Sequence, residues 1–198
     1  MNFRQFYKQR LQRYTSPSKV DRALLGLLYR SFPQPCRIIE AGCHTAHLSY
    51  KMARIGYSMT ILDILDTPLR KAERKFLDSR LPVEAIHSDI MLVDGHWQGL
   101  WNSGVVQCYP PEKREILIKK MCSIAHTILL IYPTVEDRHF PRQNKDDTPP
   151  GIVGCKEYPV NDIPSIMSEY CHELYHGSIP PKQLGLAYPF EYVIGKPS

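Results

Sequence analysis

Apolar residues along the chain recur at helical spacing in some segments and form short continuous runs in others. Helical spacing predicts two helices between residues 3 and 30, separated at Thr15-Ser16-Pro17-Ser18. Short runs then predict five strands, at Cys36–Glu40, Ser58–Leu62, Val83–His87, around Val105 and Val106, and at Thr127–Tyr132. Helices are expected between them at 45–55, 66–79 and 111–125. This alternation predicts an α/β fold with a mostly parallel, doubly wound sheet and helices on both faces.

The last third of the chain has a different pattern. Prolines and glycines interrupt residues 134–160, where we expect a long loop. A helix at about 161–170 and two strands, at Glu173–Tyr175 and Glu191–Ile194, follow and bring the sheet to seven strands. We expect a single domain over 1–198, in which the helices of 1–30 form a cap and the loop of 134–160 forms a lid over a small, enclosed ligand.

Two local signals mark helix ends. Gly56 follows the helical spacing of 45–55, as a C-terminal glycine does. Asp66-Thr67-Pro68 predicts a helix start, with a capping side chain just before a proline at the first helical position.

Composition restricts the class of protein. The chain has 198 residues, of which 43% are hydrophobic and 23% charged, so one folded core is expected. The apolar runs are too short to span a bilayer. The basic, aromatic N-terminus lacks the apolar core of a secretory signal. We therefore expect a soluble, cytoplasmic protein.

The cysteines do not indicate a disulfide framework or a metal site. Six cysteines are irregularly spaced and include no Cys-x-x-Cys pair, which favours reduced thiols. Two clusters resemble metal ligands, but neither has the paired spacing of structural zinc, so no metal is predicted. These clusters are Cys43-His44 with His47, and Cys171-His172 with His176.

The net charge of +5 is concentrated on two predicted helices. One carries Arg4, Lys8, Arg10 and Arg13, and the other Arg70, Lys71, Arg74 and Lys75. Solvated helix faces are the favoured interpretation, and a surface for RNA or another polyanion is the alternative. The second cluster has no interleaved aromatic residues for base stacking. Nucleic acid is thus possible but unsupported.

Candidate ligand-binding residues follow three of the predicted strands. Gly42, Asp63 and Asp89 fall where parallel strands end, which is where ligands bind in such sheets. Gly42 permits a tight turn beside a ligand, Asp63 can accept hydrogen bonds from both hydroxyls of a ribose, and Asp89 from an adenine amino group. The alternative is that both aspartates only cap helices.

The order of these motifs resembles that of the class I S-adenosylmethionine-dependent methyltransferases over nearly the whole chain. Their first motif, often Glu-x-Gly-Cys-Gly-Thr-Gly, is similar to residues 40–46, Glu-Ala-Gly-Cys-His-Thr-Ala. The segments at Asp63-Ile64-Leu65, Ser88-Asp89-Ile90 and Ser103–Pro110 resemble their later motifs, and 192–197 their last strand. The resemblance implies a Rossmann-like seven-stranded sheet, mostly parallel with an antiparallel last strand.

The resemblance also implies roles for individual residues. The cofactor would be S-adenosylmethionine, with Glu40, Gly42, Cys43 and His44 near its methionine part, Asp63 at the ribose, Ile64, Asp89 and Ile90 at the adenine, and Gln107 facing the sulfonium. Two positions depart from the motif, because His44 and Ala46 stand where the family has glycine. The side chain of His44 must therefore turn away from the methionine part, bond to it, or occupy its place. A nicotinamide dehydrogenase is less favoured, because Gly-x-Gly-x-x-Gly is missing.

Methyl transfer requires alignment of the acceptor, and a general base only where the acceptor must lose a proton. We expect Tyr109 and His139 in that role, and Tyr132, Glu136 and Asp137 are further candidates. Arg13 and Tyr14 could close over the cofactor's carboxylate, although core packing is favoured for Tyr14. The leading hypothesis is methyl transfer to a small molecule. The alternatives are S-adenosylmethionine-dependent chemistry of another kind, and a degenerate domain that acts as a binding or scaffold protein.

Overall fold

The computed structural model describes residues 19–133, 160–184 and 189–198. The predicted first cap helix and nearly all of the predicted lid lie outside these residues. The helices are α1 Lys19–Ser31, α2 His47–Ala53, α3 Asp66–Asp78, α4 Pro111–Ile124, α5 Ile163–Tyr170 and α6 Pro181–Leu184. The strands are β1 Arg37–Ala41, β2 Ser58–Asp63, β3 Val83–His87, β4 Gly99–Ser103, β5 Ile128–Pro133, β6 Cys171–Ile179 and β7 Phe190–Pro197. Short 3-10 helices lie at Ile90–Leu92 and Val106–Cys108.

One mixed sheet organises the molecule. In the residues that the structure describes, its seven strands lie in the order β3-β2-β1-β4-β5-β7-β6. The first five are parallel, and β7 is antiparallel to both β5 and β6. The predicted fold class is confirmed. The order reverses between β1 and β4, and in open sheets of this kind ligands bind at such a point, at the C-terminal edge.

Side chains of alternate strand residues form a hydrophobic core on each face of the sheet. Ile38 of β1 faces the core that α1, α2 and α3 cover, and its neighbour Ile39 faces the core under α4 and α5. The same alternation places Trp101 in the first core and Leu100 in the second. In the described parts of the chain, none of the helices is long and apolar enough to cross a membrane.

The prediction for the fourth strand was wrong. The strand is Gly99–Ser103, where Leu100, Trp101 and Asn102 are buried between the two neighbouring strands. Gly104 follows with a φ of +83°, which turns the chain out of the strand. Val106, predicted as strand, starts a 3-10 helix instead.

The predicted capping side chain before Pro68 was also wrong. The helix α3 already begins at Asp66, after the extended residue Leu65, and no side chain caps it. The carboxylate of Asp66 instead pairs with Arg70 one turn later. Helix α2 is shorter than predicted, because the left-handed residue Ala46 precedes its first turn.

Candidate functional site

Acceptor side chains follow one another along the C-terminal edge of the sheet. In the order of the strands they are Asp89 after β3, Asp63 at the end of β2, Glu40 in β1 and Gln107 after β4. Glu40, Asp63 and Gln107 are buried, and Asp89 is half-buried. The sheet therefore collects four predicted cofactor-binding residues at one edge, although their role stays a prediction.

The loop after β1 has an unusual backbone. Gly42, His44 and Ala46 have φ values of +71°, +48° and +46°. These are the positions of the three glycines in the motif Glu-x-Gly-Cys-Gly-Thr-Gly. The loop therefore keeps a backbone conformation that favours glycine, although His44 and Ala46 carry side chains there. Cβ atoms make this left-handed region costly, at about 1–2 kcal/mol per residue. A Cβ at position 42 would also collide with Val105, which lies directly against Gly42.

Asp63 connects this loop to the loop after β2. Its Oδ2 accepts the backbone N–H of His44 at 2.7 Å, and its Oδ1 accepts that of Leu65 at 2.8 Å. Burial raises the pKa of Asp63, and the two backbone donors partly offset that effect. Each carboxylate oxygen has a second lone pair, so Asp63 can hold both loops and still accept hydrogen bonds from a ligand.

Glu40 is a buried carboxyl beside Asp63. Burial raises its pKa to about 8, the hydroxyl of Ser49 partly offsets this, and the negative charge of Asp63 adds to it. Its Oε2 atom has no hydrogen-bond partner among the described residues. A buried carboxyl with an unpartnered oxygen favours a neighbour that brings a proton or a positive charge.

The other predicted cofactor residues differ in their surroundings. Asp89 accepts the N–H of Met91 at 2.9 Å and so caps the first 3-10 helix, as the capping alternative predicted. Ile90 is buried in the core under α4 and α5, whereas Ile64 is 48% exposed. The thiol of Cys43 is buried, and burial raises its pKa, so that it stays protonated.

The loop after β4 carries Gln107 and Tyr109. The Oε1 atom of Gln107 is buried without a hydrogen-bond partner in the part of the chain that the structure describes. Burial, with the nearby acidic groups Asp89 and Cys108, raises the pKa of Tyr109 to about 12. The phenol is therefore protonated at neutral pH and suited to donate a hydrogen bond. Tyr132 is buried in the core under α4 and α5, and burial raises its pKa as well.

Arg114 of α4 holds this loop, although it was not among the residues predicted for the site. The guanidinium is fully buried, donates to the carbonyls of Val106 at 3.2 Å and Tyr109 at 3.1 Å, and forms an ion pair with Asp162 just before α5. A signal was present in the sequence, because Arg114 lies on the same helical stripe as Leu117, Ile118 and Met121.

A second buried charge, Asp21, connects α1 to α2. Its Oδ2 lies 3.0 Å from Nε2 of His47 and 3.2 Å from Nζ of Lys51. Burial alone would raise the pKa of Asp21, but the His47 and Lys51 partners outweigh burial and lower it. Since α2 begins directly after the Ala46 turn, this cluster holds α1 beside the loop that follows β1.

Several candidates fall elsewhere. His139, Glu136, Asp137, Arg13 and Tyr14 lie outside the described residues. Within residues 19–133, 160–184 and 189–198, no cluster of three His, Cys, Asp or Glu side chains could hold a metal ion. On the basic face of α3, Arg70 pairs with Asp66 and Glu73, and Lys75 lies over the ring of Tyr50.

Comparison with known proteins identifies the fold. No protein-family model matches the chain. One similar structure is the 1,6-didemethyltoxoflavin-N1-methyltransferase of Burkholderia thailandensis with bound 1,6-didemethyltoxoflavin and S-adenosylhomocysteine. Its TM-score is 0.70 and its sequence identity 13%, over 99% of this chain and 86% of that one. The magnesium protoporphyrin IX methyltransferase ChlM of Synechocystis PCC 6803 with bound S-adenosylhomocysteine has a TM-score of 0.68 and 16% identity over 90% and 81%.

A curated relative matches part of the sequence. Over 68 residues the chain is 32% identical to the S-adenosyl-L-methionine-dependent Diels-Alderase iccD of Talaromyces variabilis. That match covers 34% of this chain and 23% of the relative, so the chain spans about a quarter of the relative's length. The sheet order and the structural neighbours show that the chain has the fold of the class I S-adenosylmethionine-dependent methyltransferases, as its sequence motifs predicted.

Proposed function

We propose that the chain binds S-adenosylmethionine across the C-terminal ends of β1–β4 and transfers its methyl group to a small-molecule acceptor. The observation that carries this proposal is the row Asp89, Asp63, Glu40 and Gln107 along four adjacent strands of a methyltransferase fold. Adjacent strands are about 4.8 Å apart, so the row extends over roughly 14 Å. This length suits an extended nucleoside joined to an amino acid.

The chemistry of the row complements the groups of S-adenosylmethionine. That molecule presents an amino group on adenine, two ribose hydroxyls, an ammonium group and a sulfonium charge. Facing them, the unpartnered oxygens of Glu40 and Gln107 are acceptors, as are the remaining lone pairs of Asp63. We assign Ile64, Asp89 and Ile90 to the adenine, Asp63 to the ribose, Glu40, Gly42, Cys43 and His44 to the methionine part, and Gln107 to the sulfonium side.

The cofactor supplies an activated methyl group, and the protein's task is to align an acceptor with it. We propose that Tyr109 orients the acceptor through its phenolic O–H, because its raised pKa keeps it protonated. His139 is the proposed general base for acceptors that must lose a proton. A small heterocycle is a suitable acceptor class, since the Burkholderia neighbour is described with 1,6-didemethyltoxoflavin bound.

Calorimetric titration with S-adenosylmethionine and S-adenosylhomocysteine tests the cofactor site. We expect micromolar binding to the parent protein, loss of binding in Asp63→Ala, and unchanged binding in Asp78→Ala, which removes an exposed carboxylate at the end of α3. Thermal melts establish that both variants are folded. Absence of binding to the parent, rescued by His44→Gly, would mean that His44 fills the pocket and would overturn the proposal for the native chain.

A second candidate is S-adenosylmethionine-dependent chemistry without methyl transfer. The observation in its favour is the partial match to a protein named as a Diels-Alderase. Incubation with candidate heterocycles and cofactor carrying a labelled methyl group separates the two, because only methyl transfer labels the acceptor. Failure to bind cofactor at all would favour the degenerate binding or scaffold alternative.

The remaining partner assignments are also proposals. The ion pairs of Arg70 and the position of Lys75 over Tyr50 support a solvated face on α3 rather than a nucleic-acid surface. We place the protein in the cytoplasm from its sequence composition, and fractionation of tagged protein in cells tests that location.

A further inference from the structure

Two cysteines from different elements lie side by side at the far end of α4. Cys122 is in the last turn of α4, Cys171 is the first residue of β6, and their Sγ atoms are 4.0 Å apart. A disulfide bond requires a separation of about 2.05 Å, so the sulfurs must approach each other by only ~2 Å. Side-chain rotation with a small backbone shift can supply such a movement.

The surroundings of the pair favour reaction between the two sulfurs. Cys122 is only partly buried, whereas Cys171 is buried. The hydrogen bond between the thiols lowers the pKa of Cys171 and raises that of Cys122, so the pair shares its last proton and forms one thiolate more readily. The ladder between β6 and β7 is irregular just after Cys171, so that Cys171 lies beyond the regular ladder at the start of the strand.

We propose that Cys122 and Cys171 form an oxidisable dithiol, which a peroxide converts to an intramolecular disulfide. One thiolate attacks a peroxide oxygen and becomes a sulfenic acid, while the other oxygen leaves as hydroxide. The second sulfur then displaces hydroxide from the sulfenic acid and forms the S–S bond. The two thiol protons and the two hydroxides leave as two waters, so the pair loses two electrons to the peroxide. A thiol reductant restores both thiols.

The bond would connect elements that already meet at the candidate site. At the other end of α4, Arg114 holds the loop after β4 and pairs with Asp162 before α5. Cys122 is two helical turns further on, about 12 Å along the helix. Oxidation would add a covalent connection between α4 and the α5–β6 segment and would close a loop of 49 residues. The proposal does not depend on methyl transfer.

Peptide mapping tests the pairing directly. The folded protein is treated with equimolar hydrogen peroxide, its free thiols are alkylated, and it is digested with trypsin. Cleavage at lysine and arginine places Cys122 in peptide 121–138, Cys171 in 157–182 and Cys155 in 146–156, one cysteine in each. We expect a cross-linked species of 121–138 with 157–182 that disappears on reduction. Cys122→Ser and Cys171→Ser should abolish it, and Cys108→Ser should retain it.

Thermal stability gives a second measurement. Oxidation should raise Tm by about 5 °C or more in the parent and in Cys108→Ser, because the closed loop restricts the unfolded chain. The same treatment should leave the Tm of Cys122→Ser unchanged. A link from either cysteine to 146–156, a link found only between molecules, or overoxidation of Cys122 without any link would each overturn the proposal.

Discussion

At the residue scale, the loop after β1 stores backbone strain where related sequences have glycine. His44 and Ala46 both adopt positive φ, and Ala46 is also fully buried. The backbone N–H of His44 donates to Asp63, which fixes the strained conformation. Backbone strain can persist in this short loop because contacts with neighbouring groups, here the carboxylate of Asp63, fix the loop's conformation.

His44→Gly should therefore stabilise the protein. Removing the side chain relieves about 1–2 kcal/mol of left-handed strain, and the greater freedom of glycine in the unfolded chain offsets about half of that. We expect a net gain of about 1 kcal/mol in the free energy of unfolding by urea titration. Thr45→Gly is the matched control, since Thr45 lacks a positive φ and should lose stability. A loss in both variants would contradict the strain argument.

Glu40→Gln should change how stability depends on pH. The pKa of Glu40 is raised to about 8 in the folded protein from an ordinary value of 4.5. The protonated carboxyl is compatible with burial, so its contribution is complete below pH 4.5 and is lost as the pH rises towards 8. The free energy of unfolding of the variant, relative to that of the parent, should therefore increase by on the order of 4 kcal/mol between pH 5 and pH 9. Urea unfolding at both values measures this, and Glu112→Gln on exposed α4 surface should show no such gain.

At the scale of elements, buried charges join helices to the loops that form the candidate site. Arg114 connects α4 to the loop after β4 and to Asp162, and Asp21 connects α1 to α2. Each lies on the apolar stripe of its helix, a position at which a leucine would pack equally well. Arg114 therefore positions loop backbone, and Asp21 joins its helix to side chains of α2, while both occupy core positions.

Arg114→Met should weaken the connection between α4 and the loop. The variant removes the side-chain donor of the Val106 and Tyr109 carbonyls from a buried position, while the partly exposed Asp162 can be solvated. We expect a loss of about 2–4 kcal/mol in the free energy of unfolding, measured by urea titration. Lys113→Met, at the adjacent exposed position, is the control and should cost less than about 0.5 kcal/mol. Equal losses would show that Arg114 acts only through its apolar stem.

At the scale of the whole molecule, two cores share one sheet. The chain has two tryptophans, Trp101 in the core under α1–α3 and Trp97 in the core under α4 and α5. Because alternate residues of the same strands face the two cores, loss of one should disrupt the other. The described parts of both cores are therefore expected to unfold together.

Single-tryptophan variants test this cooperativity. In Trp97→Phe the remaining fluorescence reports the first core, and in Trp101→Phe it reports the second. We expect the fluorescence transition in urea to coincide with that of far-ultraviolet circular dichroism in each variant, although the midpoints of the two variants will differ. Separate transitions within one variant would show that the faces unfold independently.

Much of this architecture was predictable from the sequence, for physical reasons. Interior parallel strands are buried on both faces, so their apolar runs are visible, and the prediction Ser58–Leu62 differs from the observed Ser58–Asp63 by one residue. The fourth strand was missed because Trp101-Asn102-Ser103 has mixed polarity that only its central position in the sheet explains. Asp63 was predicted from its position after a strand and Glu40 from the family motif, whereas Arg114 and Asp21 were missed because their partners are distant in sequence.

The protonated carboxyl of Glu40 has a consequence for the energetics of ligand binding. A cation placed beside it favours the ionised form and lowers its pKa, so binding below about pH 8 must expel a proton into solution. S-adenosylmethionine and S-adenosylhomocysteine both carry the ammonium group that the proposed function assigns beside Glu40, so both should release a proton on binding. Binding heats in buffers of different ionisation enthalpy count those protons, and the release should vanish in Glu40→Gln. On the proposed function, Glu40 would make the affinity for the cofactor and for its product rise together with pH up to about 8.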